Sequence, residues 1–250
     1  MAETSLVLRE DERLDTLGRD DLRIIQSSSV FSYSTDALVL GDFARVPQSA
    51  RAKVLDLCAG TGAVSLLLSE QTNAQIIGVE LQERLADMAQ RSITLNQLDN
   101  QVQILQGDVA NLRADFSHDT IDAIVCNPPY FKVDEAKISP NPHLALARHE
   151  LRLDLSTLVR EVSRLLKMKG TFFMVYRPER FLELLDELQR HNLVPKRIRF
   201  VYPKPHRQAT ILLVEAIKQG SVAGFAVDSP LYVMDEAGRY TPEMRAIIHG

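Results

Sequence analysis

Tryptophan is absent from this 250-residue chain, and cysteine occurs only twice, at Cys58 and Cys126. Two thiols do not make a disulfide framework, so the fold has to rest on a packed core and a reducing compartment is expected. A chain this long buries a substantial core without such staples. No apolar run approaches the roughly 20 residues of a membrane-spanning helix. The N-terminal region offers no signal peptide, because Glu10, Asp11 and Glu12 fall where its apolar segment would have to be. The expected location is the cytoplasm. The six histidines show no metal-ligand spacing and no Gly-x-Ser-x-Gly elbow occurs, so neither a metal nor a covalent nucleophile is expected. An excess of positive charge is lacking too: the net charge is −4.

Charge is unevenly distributed. Residues 1–22 hold seven acidic and three basic residues. Residues 188–210 contain Arg190, Lys196, Arg197, Arg199, Lys204 and Arg207 with no Asp or Glu. That run reads either as a solvated face or as a local positive surface for a polyanion.

From Lys53 onward, strand and helix patterns alternate. Strands are expected at Val54–Leu57, Ala74–Glu80, Val102–Gln106, Ile121–Cys126 and Thr171–Tyr176. Helices are expected at Ala37–Phe43, Gly62–Glu70, Glu83–Asn96, Ala110–Phe116, Leu155–Met168 and Pro178–Gln189. This alternation implies an α/β fold, a doubly wound and mostly parallel sheet with helices on both faces. The last two strands, Leu193–Val201 and Ala209–Ala216, are joined by too short a link for a parallel crossover and should be antiparallel. Residues 1–24 read as an arm or short hairpin. Residues 218–250 read as an extension with a strand near Leu231–Met234 and a short helix after Thr241.

Two motifs carry chemistry. The first is Asp56-Leu-Cys-Ala-Gly60-Thr-Gly62, a strand running into a glycine-bearing loop. It lacks the third glycine of a dinucleotide fingerprint, and no Lys-Ser/Thr follows to make a phosphate loop. Gly60 and Gly62 permit positive φ and close backbone approach to a ligand. Glu80 and Asp108 end the next two strands. Glu80 suits two ribose hydroxyls, and Asp108, with Val109 beside it, suits an adenine amino group. Each acid alone reads more readily as a helix cap or a solvated loop residue. Three acids at successive strand ends favour a nucleoside ligand at the carboxyl edge of the sheet.

The second motif is Asn127-Pro128-Pro129-Tyr130, directly after the apolar run Ile121–Cys126. A planar exocyclic nitrogen is a poor nucleophile because its lone pair is conjugated. The Asn127 side-chain oxygen and the Pro128 carbonyl can accept its two N–H bonds and expose that lone pair. The prolines fix the turn, and Tyr130 or Phe131 offers a ring for stacking.

With these residues in view, the chain resembles the class I, S-adenosylmethionine-dependent methyltransferases of the Asn-Pro-Pro-Tyr branch. More narrowly it is similar to the bacterial tRNA1(Val) N6-adenine methyltransferases. The segments that carry the likeness are Phe31-Ser-Tyr-Ser-Thr-Asp36-Ala-Leu-Val-Leu, Asn127-Pro-Pro-Tyr-Phe131, Ala147-Arg-His-Glu150 and Lys204-Pro-His-Arg-Gln-Ala-Thr210, within residues 20–217. Cys58 departs from the pattern, since many relatives carry Gly there. The resemblance implies a seven-stranded sheet ending in an antiparallel hairpin. It implies S-adenosylmethionine as cofactor, held by Asp56, Cys58, Gly60, Gly62, Glu80, Asp108, Val109 and Asn127. It implies catalysis by Asn127, Pro128 and Tyr130. The implied partner is tRNA, met by Tyr130, Phe131, Arg197, Arg199, Lys204 and Arg207, and modified at the adenosine 3′ of the anticodon. Arg148, His149 and Glu150 could touch that RNA or form a local salt bridge. The expected organisation is an arm and helix over 1–50, a catalytic domain over 51–217 and the extension over 218–250. The rival readings are guanine-N2 methylation of ribosomal RNA, methylation of a glutamine amide in a protein, and a silent RNA-binding module on the same fold.

Overall fold

The structure is a computed structural model and describes residues 8–17, 22–30, 32–129 and 153–249. An antiparallel hairpin opens it, β1 (Glu12–Leu17) with β2 (Leu22–Ser27). Helix α1 (Thr35–Phe43) leads into the sheet. Then come β3 (Lys53–Leu57), α2 (Ala63–Ser69), β4 (Gln75–Glu80), α3 (Glu83–Leu95), β5 (Val102–Gln106) and β6 (Ile121–Cys126). After these follow α4 (Leu155–Leu165), β7 (Leu166–Tyr176), α5 (Phe181–Arg190), β8 (Leu193–Tyr202) and β9 (Ile211–Lys218). The strand order is β8-β9-β7-β6-β3-β4-β5. Strands β3 to β7 are parallel, and β9 lies antiparallel between β7 and β8. The expected seven strands, with their terminal antiparallel hairpin, are all present.

The sheet is doubly wound because successive side chains serve opposite faces. Val54, Ile76, Val125 and Phe173 pack with Leu40 of α1 and Leu67 of α2. Their neighbours Leu55, Ile124 and Phe172 pack with Val159 and Val162 of α4 and with Leu184 and Leu188 of α5. Strands covered on both faces read as continuous apolar runs, which is why β3 and β6 were recognisable. Helix α3 buries Leu85, Ala86, Met88, Ala89, Ser92 and Ile93, a helical stripe. A Cβ at Gly41 would lie 2.9 Å from Leu67 Cδ1, so glycine sets how closely α1 and α2 pack. Among the described residues no helix is long and apolar enough to cross a membrane.

Three features differ from expectation. Helix α4 stops at Leu165 and the next strand begins at once. Ile121 pairs with Leu166, then the ladder slips so that Ala123 pairs with Thr171. The surplus residues bulge, with Lys169 at φ 65°. The apolar pair Leu165-Leu166 continues the helical spacing, so periodicity could not reveal the bulge. The helix expected over Ala110–Phe116 is instead a short 3-10 turn, Val109–Asn111. The C-terminal segment widens the sheet to nine strands. Strands β10 (Ala226–Val227) and β11 (Leu231–Tyr232) both pair parallel with β8. Helix α6 (Pro242–His249) then adds Met244 and Ile247 to the core that holds α1.

Arginines expected to face RNA secure this segment instead. Arg197 donates to Glu215 (2.7 Å), Asp228 (3.0 Å) and the Phe43 carbonyl (2.8 Å). Its guanidinium also lies 3.8 Å from the centroid of the Phe43 ring. Arg199 donates to the Ser229 carbonyl (2.9 Å) and pairs with Glu243. Their side chains are only 12% and 14% exposed. The assignment of Arg197 and Arg199 as RNA contacts is therefore corrected: their donors are spent on β9, α1 and the C-terminal segment.

Removing a largely buried guanidinium strands its partners, so Arg197→Ala should cost roughly 2–4 kcal/mol of stability. The exposed Arg207→Ala should change stability by less than about 0.5 kcal/mol. Urea denaturation of both variants checks this; equal stabilities would deny Arg197 its bracing role.

Candidate active site

Four strand ends converge on one edge. In register, Leu57 lies beside Val79 and Cys126, and Glu80 beside Gln106. This brings Asp56, Cys58, Gly60, Gly62, Glu80, Asp108, Val109 and Asn127 to the same side of the molecule.

The loop after β3 is built from left-handed residues: Cys58, Gly60 and Gly62 have φ of 61°, 56° and 84°. The Ala59 N–H donates to the Val79 carbonyl (3.0 Å) and the Gly62 N–H to the Ala59 carbonyl (2.9 Å). The two glycines do different work. A Cβ at Gly60 would meet nothing within 4 Å, so this residue faces open space. A Cβ at Gly62 would press on Ala89 Cβ at 3.1 Å, so this glycine admits α3. Cys58 takes a conformation that disfavours a side chain, which gives a physical reason for glycine at that position.

Glu80 organises the loop. Its Oε2 accepts the Gly60 N–H (2.8 Å) and its Oε1 the Gln82 N–H (2.9 Å). Burial raises its pKa, opposed by the backbone N–H groups of Gln82, Gly60 and Leu81. Each carboxylate oxygen keeps acceptor capacity beyond these bonds. Asp56 lies fully buried within β3. Its Oδ2 accepts the Ser65 hydroxyl (2.7 Å), while Oδ1 has no hydrogen-bond partner among the described residues. Burial pushes its pKa up to about 7; the Ser65 hydroxyl opposes this and the Glu80 charge adds to it.

Cys58 and Cys126 are both free, and their thiols are hydrogen-bonded. That bond, then burial, raises the Cys58 pKa well above the usual thiol range, so it stays an unreactive thiol. Asp108 caps the 3-10 turn: Oδ1 accepts the Ala110 N–H (2.9 Å) and Oδ2 the Asn111 amide (3.2 Å). Val109 beside it is buried. Asn127 is half-buried at the end of β6, with Pro128 buried and Pro129 half-buried. Tyr130, Phe131, Arg148, His149 and Glu150 lie outside the described residues.

The remaining basic residues sort by position. Lys196 donates to the carbonyls of Ser221 and Ala223, and Arg190 pairs with Asp186 and Glu187. Lys204 and Arg207 have no ion pair among the described residues. They sit in the loop after β8, which runs in the same direction as β6, so this loop shares the edge that holds Asn127. Among the described residues, no group of three or more His, Cys, Asp or Glu is arranged to hold a metal. Sequence reading overlooked Ser65 and Gln26, two buried polar residues that reach Asp56 and Thr61. The only signal was a polar residue within an apolar run.

Comparison with known proteins follows the same lines. A family profile described as a methyltransferase domain matches residues 48–201. The tRNA1(Val) (adenine(37)-N6)-methyltransferase of Parabacteroides distasonis is 30% identical, over 85% of this chain and 87% of that protein. The protein of the same name from Shewanella woodyi is 28% identical, over 87% and 90%. Among solved structures, a predicted O-methyltransferase from Agrobacterium tumefaciens superposes with a TM-score of 0.65 at 21% identity, over 85% of this chain and 95% of that one. Geranyl diphosphate C-methyltransferase from Streptomyces coelicolor gives 0.56 at 16% identity, over 73% and 74%. These structural likenesses speak to the fold alone.

The Asp56 carboxyl gives a pH signature. Its pKa is about 7 folded against an ordinary value of 3.8, so the folded state holds a proton that the unfolded state releases between those limits. Its contribution to stability is complete below about 4 and is lost as pH rises through about 7. The Asp56→Asn variant lacks this loss. Its stability relative to the parent chain should climb from pH 4 to pH 7, as read by denaturant titrations across that range. A difference independent of pH would mean Asp56 titrates normally.

Proposed function

This chain belongs to the class I, S-adenosylmethionine-dependent methyltransferases, in the family of the tRNA1(Val) (adenine(37)-N6)-methyltransferases, and from that membership we propose that it methylates the N6 amino group of the adenosine 3′ of a tRNA anticodon. The observation that carries the reading is the juxtaposition of the glycine loop and the Asn127-Pro128-Pro129 turn, which leave adjacent strand ends, Leu57 beside Cys126.

The residues fit the cofactor. Gly60 borders open space, Glu80 keeps acceptor capacity for ribose hydroxyls, and Asp108 with Val109 flanks the neighbouring strand end. S-adenosylmethionine, when bound, supplies an electrophilic methyl group. The rest of the chemistry belongs to this chain. Asn127 Oδ1 and the Pro128 carbonyl accept the two hydrogens of the exocyclic amine, drawing its lone pair out of conjugation. Tyr130 and Phe131 supply rings for stacking on a base of an anticodon loop, where unstacking is cheap. Lys204 and Arg207 contact backbone phosphates along the same edge. In this reading residues 51–217 form the catalytic unit, with 1–50 packed on it.

Two tests follow. Asn127→Ala should lower methyl transfer by about 10²-fold or more, with a much smaller effect on S-adenosylmethionine affinity, because the lost side-chain acceptor acts chiefly on the reacting nitrogen. Labelled transfer onto total RNA and total protein, followed by nucleoside mass spectrometry of the RNA, reads both rate and product. N2-methylguanosine, or label on protein instead of RNA, would replace the adenine assignment. The Lys204→Ala/Arg207→Ala double variant should weaken tRNA binding and flatten its dependence on salt, the log–log slope falling by about 1–2. An unaltered slope would remove these two side chains from the RNA surface.

A further inference from the structure

Gln26 has no part in the chemistry above, yet it is fully buried and every polar group of its side chain is committed. Its Nε2 donates to Thr61 Oγ1 (2.9 Å) and to the Ile25 carbonyl (3.0 Å), and its Oε1 accepts the Tyr33 N–H (3.0 Å). The amide orientation follows from its partners: a carbonyl needs a donor and a backbone N–H needs an acceptor. Thr61, 4% exposed, is the residue between Gly60 and Gly62.

We propose that Gln26 is a positioning residue: through the Thr61 hydroxyl it holds the Gly60–Gly62 loop in its ligand-ready shape before S-adenosylmethionine arrives. The inference rests on the reading of this loop as the cofactor loop. Two buried side chains clamp consecutive residues of it, Glu80 at Gly60 and Gln26 at Thr61. A clamp is needed because Cys58 holds a left-handed conformation that a side chain disfavours. Gln26 itself is held firmly. The hairpin that carries it is fastened to α3 by Ile25 N–H to Ser92 Oγ (2.9 Å) and Arg23 N–H to Asn96 Oδ1 (2.9 Å). Ion pairs of Arg91 with Glu12 and Arg84 with Asp11 join the same two elements. The hairpin is thus a brace that ends on the loop. A loop ordered in advance spares the ligand the entropy of ordering it. An apolar residue would fill the space but could not hold Thr61.

The test uses the full chain and three substitutions, Gln26→Met, Thr61→Val and Thr61→Ser, each checked for folding by thermal melt. S-adenosylmethionine is titrated calorimetrically. Gln26→Met and Thr61→Val should each raise Kd about tenfold, as loss of one buried hydrogen bond would. Together they should also raise it about tenfold, rather than about a hundredfold, because they break the same link. The KM for S-adenosylmethionine should rise more than kcat falls. Without ligand, the amides of Ala59, Gly60 and Gly62 should exchange faster with solvent in both variants, which a side chain that merely touches the cofactor would not cause. Thr61→Ser keeps the acceptor and should behave like the parent chain. Additive losses, or loop exchange unchanged in folded variants, would overturn the proposal while leaving the cofactor reading intact. Failure of the parent chain to bind S-adenosylmethionine would overturn both. If Gln26→Met does not fold, exchange in Thr61→Val against Thr61→Ser decides: faster in Val alone supports the clamp, and alike in both removes it.

Discussion

The site depends on one buried carboxylate that spans two loops. Glu80 ends β4 and accepts backbone N–H groups from Gly60 of one crossover and Gln82 of the next. Those loops leave neighbouring parallel strands, whose ends a sheet places about 4.8 Å apart. Without an acceptor between them, two half-buried N–H groups would lose their partner. An apolar side chain at this position would accept neither N–H. Gly60, fixed by one of these bonds, borders open space.

The same arrangement controls charge. Asp56 and Glu80 are both buried, and both carboxyl pKa values are raised, Asp56 partly by the Glu80 charge. Glu80 has three backbone N–H groups to support ionisation, whereas Asp56 has Ser65 alone, through its hydroxyl and its backbone N–H. Glu80, the acid that borders the open loop, thus has more support for its charge than Asp56 beneath it. Two acids on adjacent strands come to differ through their burial, their hydrogen-bond partners and the charge that one places on the other.

How much of this was legible in the sequence depends on how far apart the cooperating residues lie. Strands β3 and β6, the glycine loop and the Asn-Pro-Pro turn are encoded within windows of a few residues, by apolar runs and special backbone residues. Asp108 was ambiguous between cap and ligand contact, and it is engaged as a cap. The basic run misled because a cation's neighbours along the chain do not reveal its partners. Arg197 meets Glu215, Asp228 and Phe43, which lie 18, 31 and 154 positions away. The bulge in β7 and the link from Gln26 to Thr61 were invisible for the same reason: both arise from pairings that only the assembled sheet creates.

Withdrawing Arg197 and Arg199 from the surface sharpens the functional picture. Six free cations, from the end of α5 through β8 to the loop beyond it, would have described a broad, directionless positive face. Arg190, Arg197 and Arg199 are ion-paired and Lys196 is held by two backbone carbonyls, whereas Lys204 and Arg207, both in the loop beyond Tyr202, have no ion pair among the described residues. Counting strands from β6 through β7 and β9 to β8 gives three steps, or about 14 Å along the carboxyl edge. A polyanion held at that loop and extended along the edge reaches the Asn127 turn within a few residues of its own chain. In the proposed function, these two cations at one end of one edge of an acidic protein would direct a negatively charged strand toward the site without attracting it everywhere else.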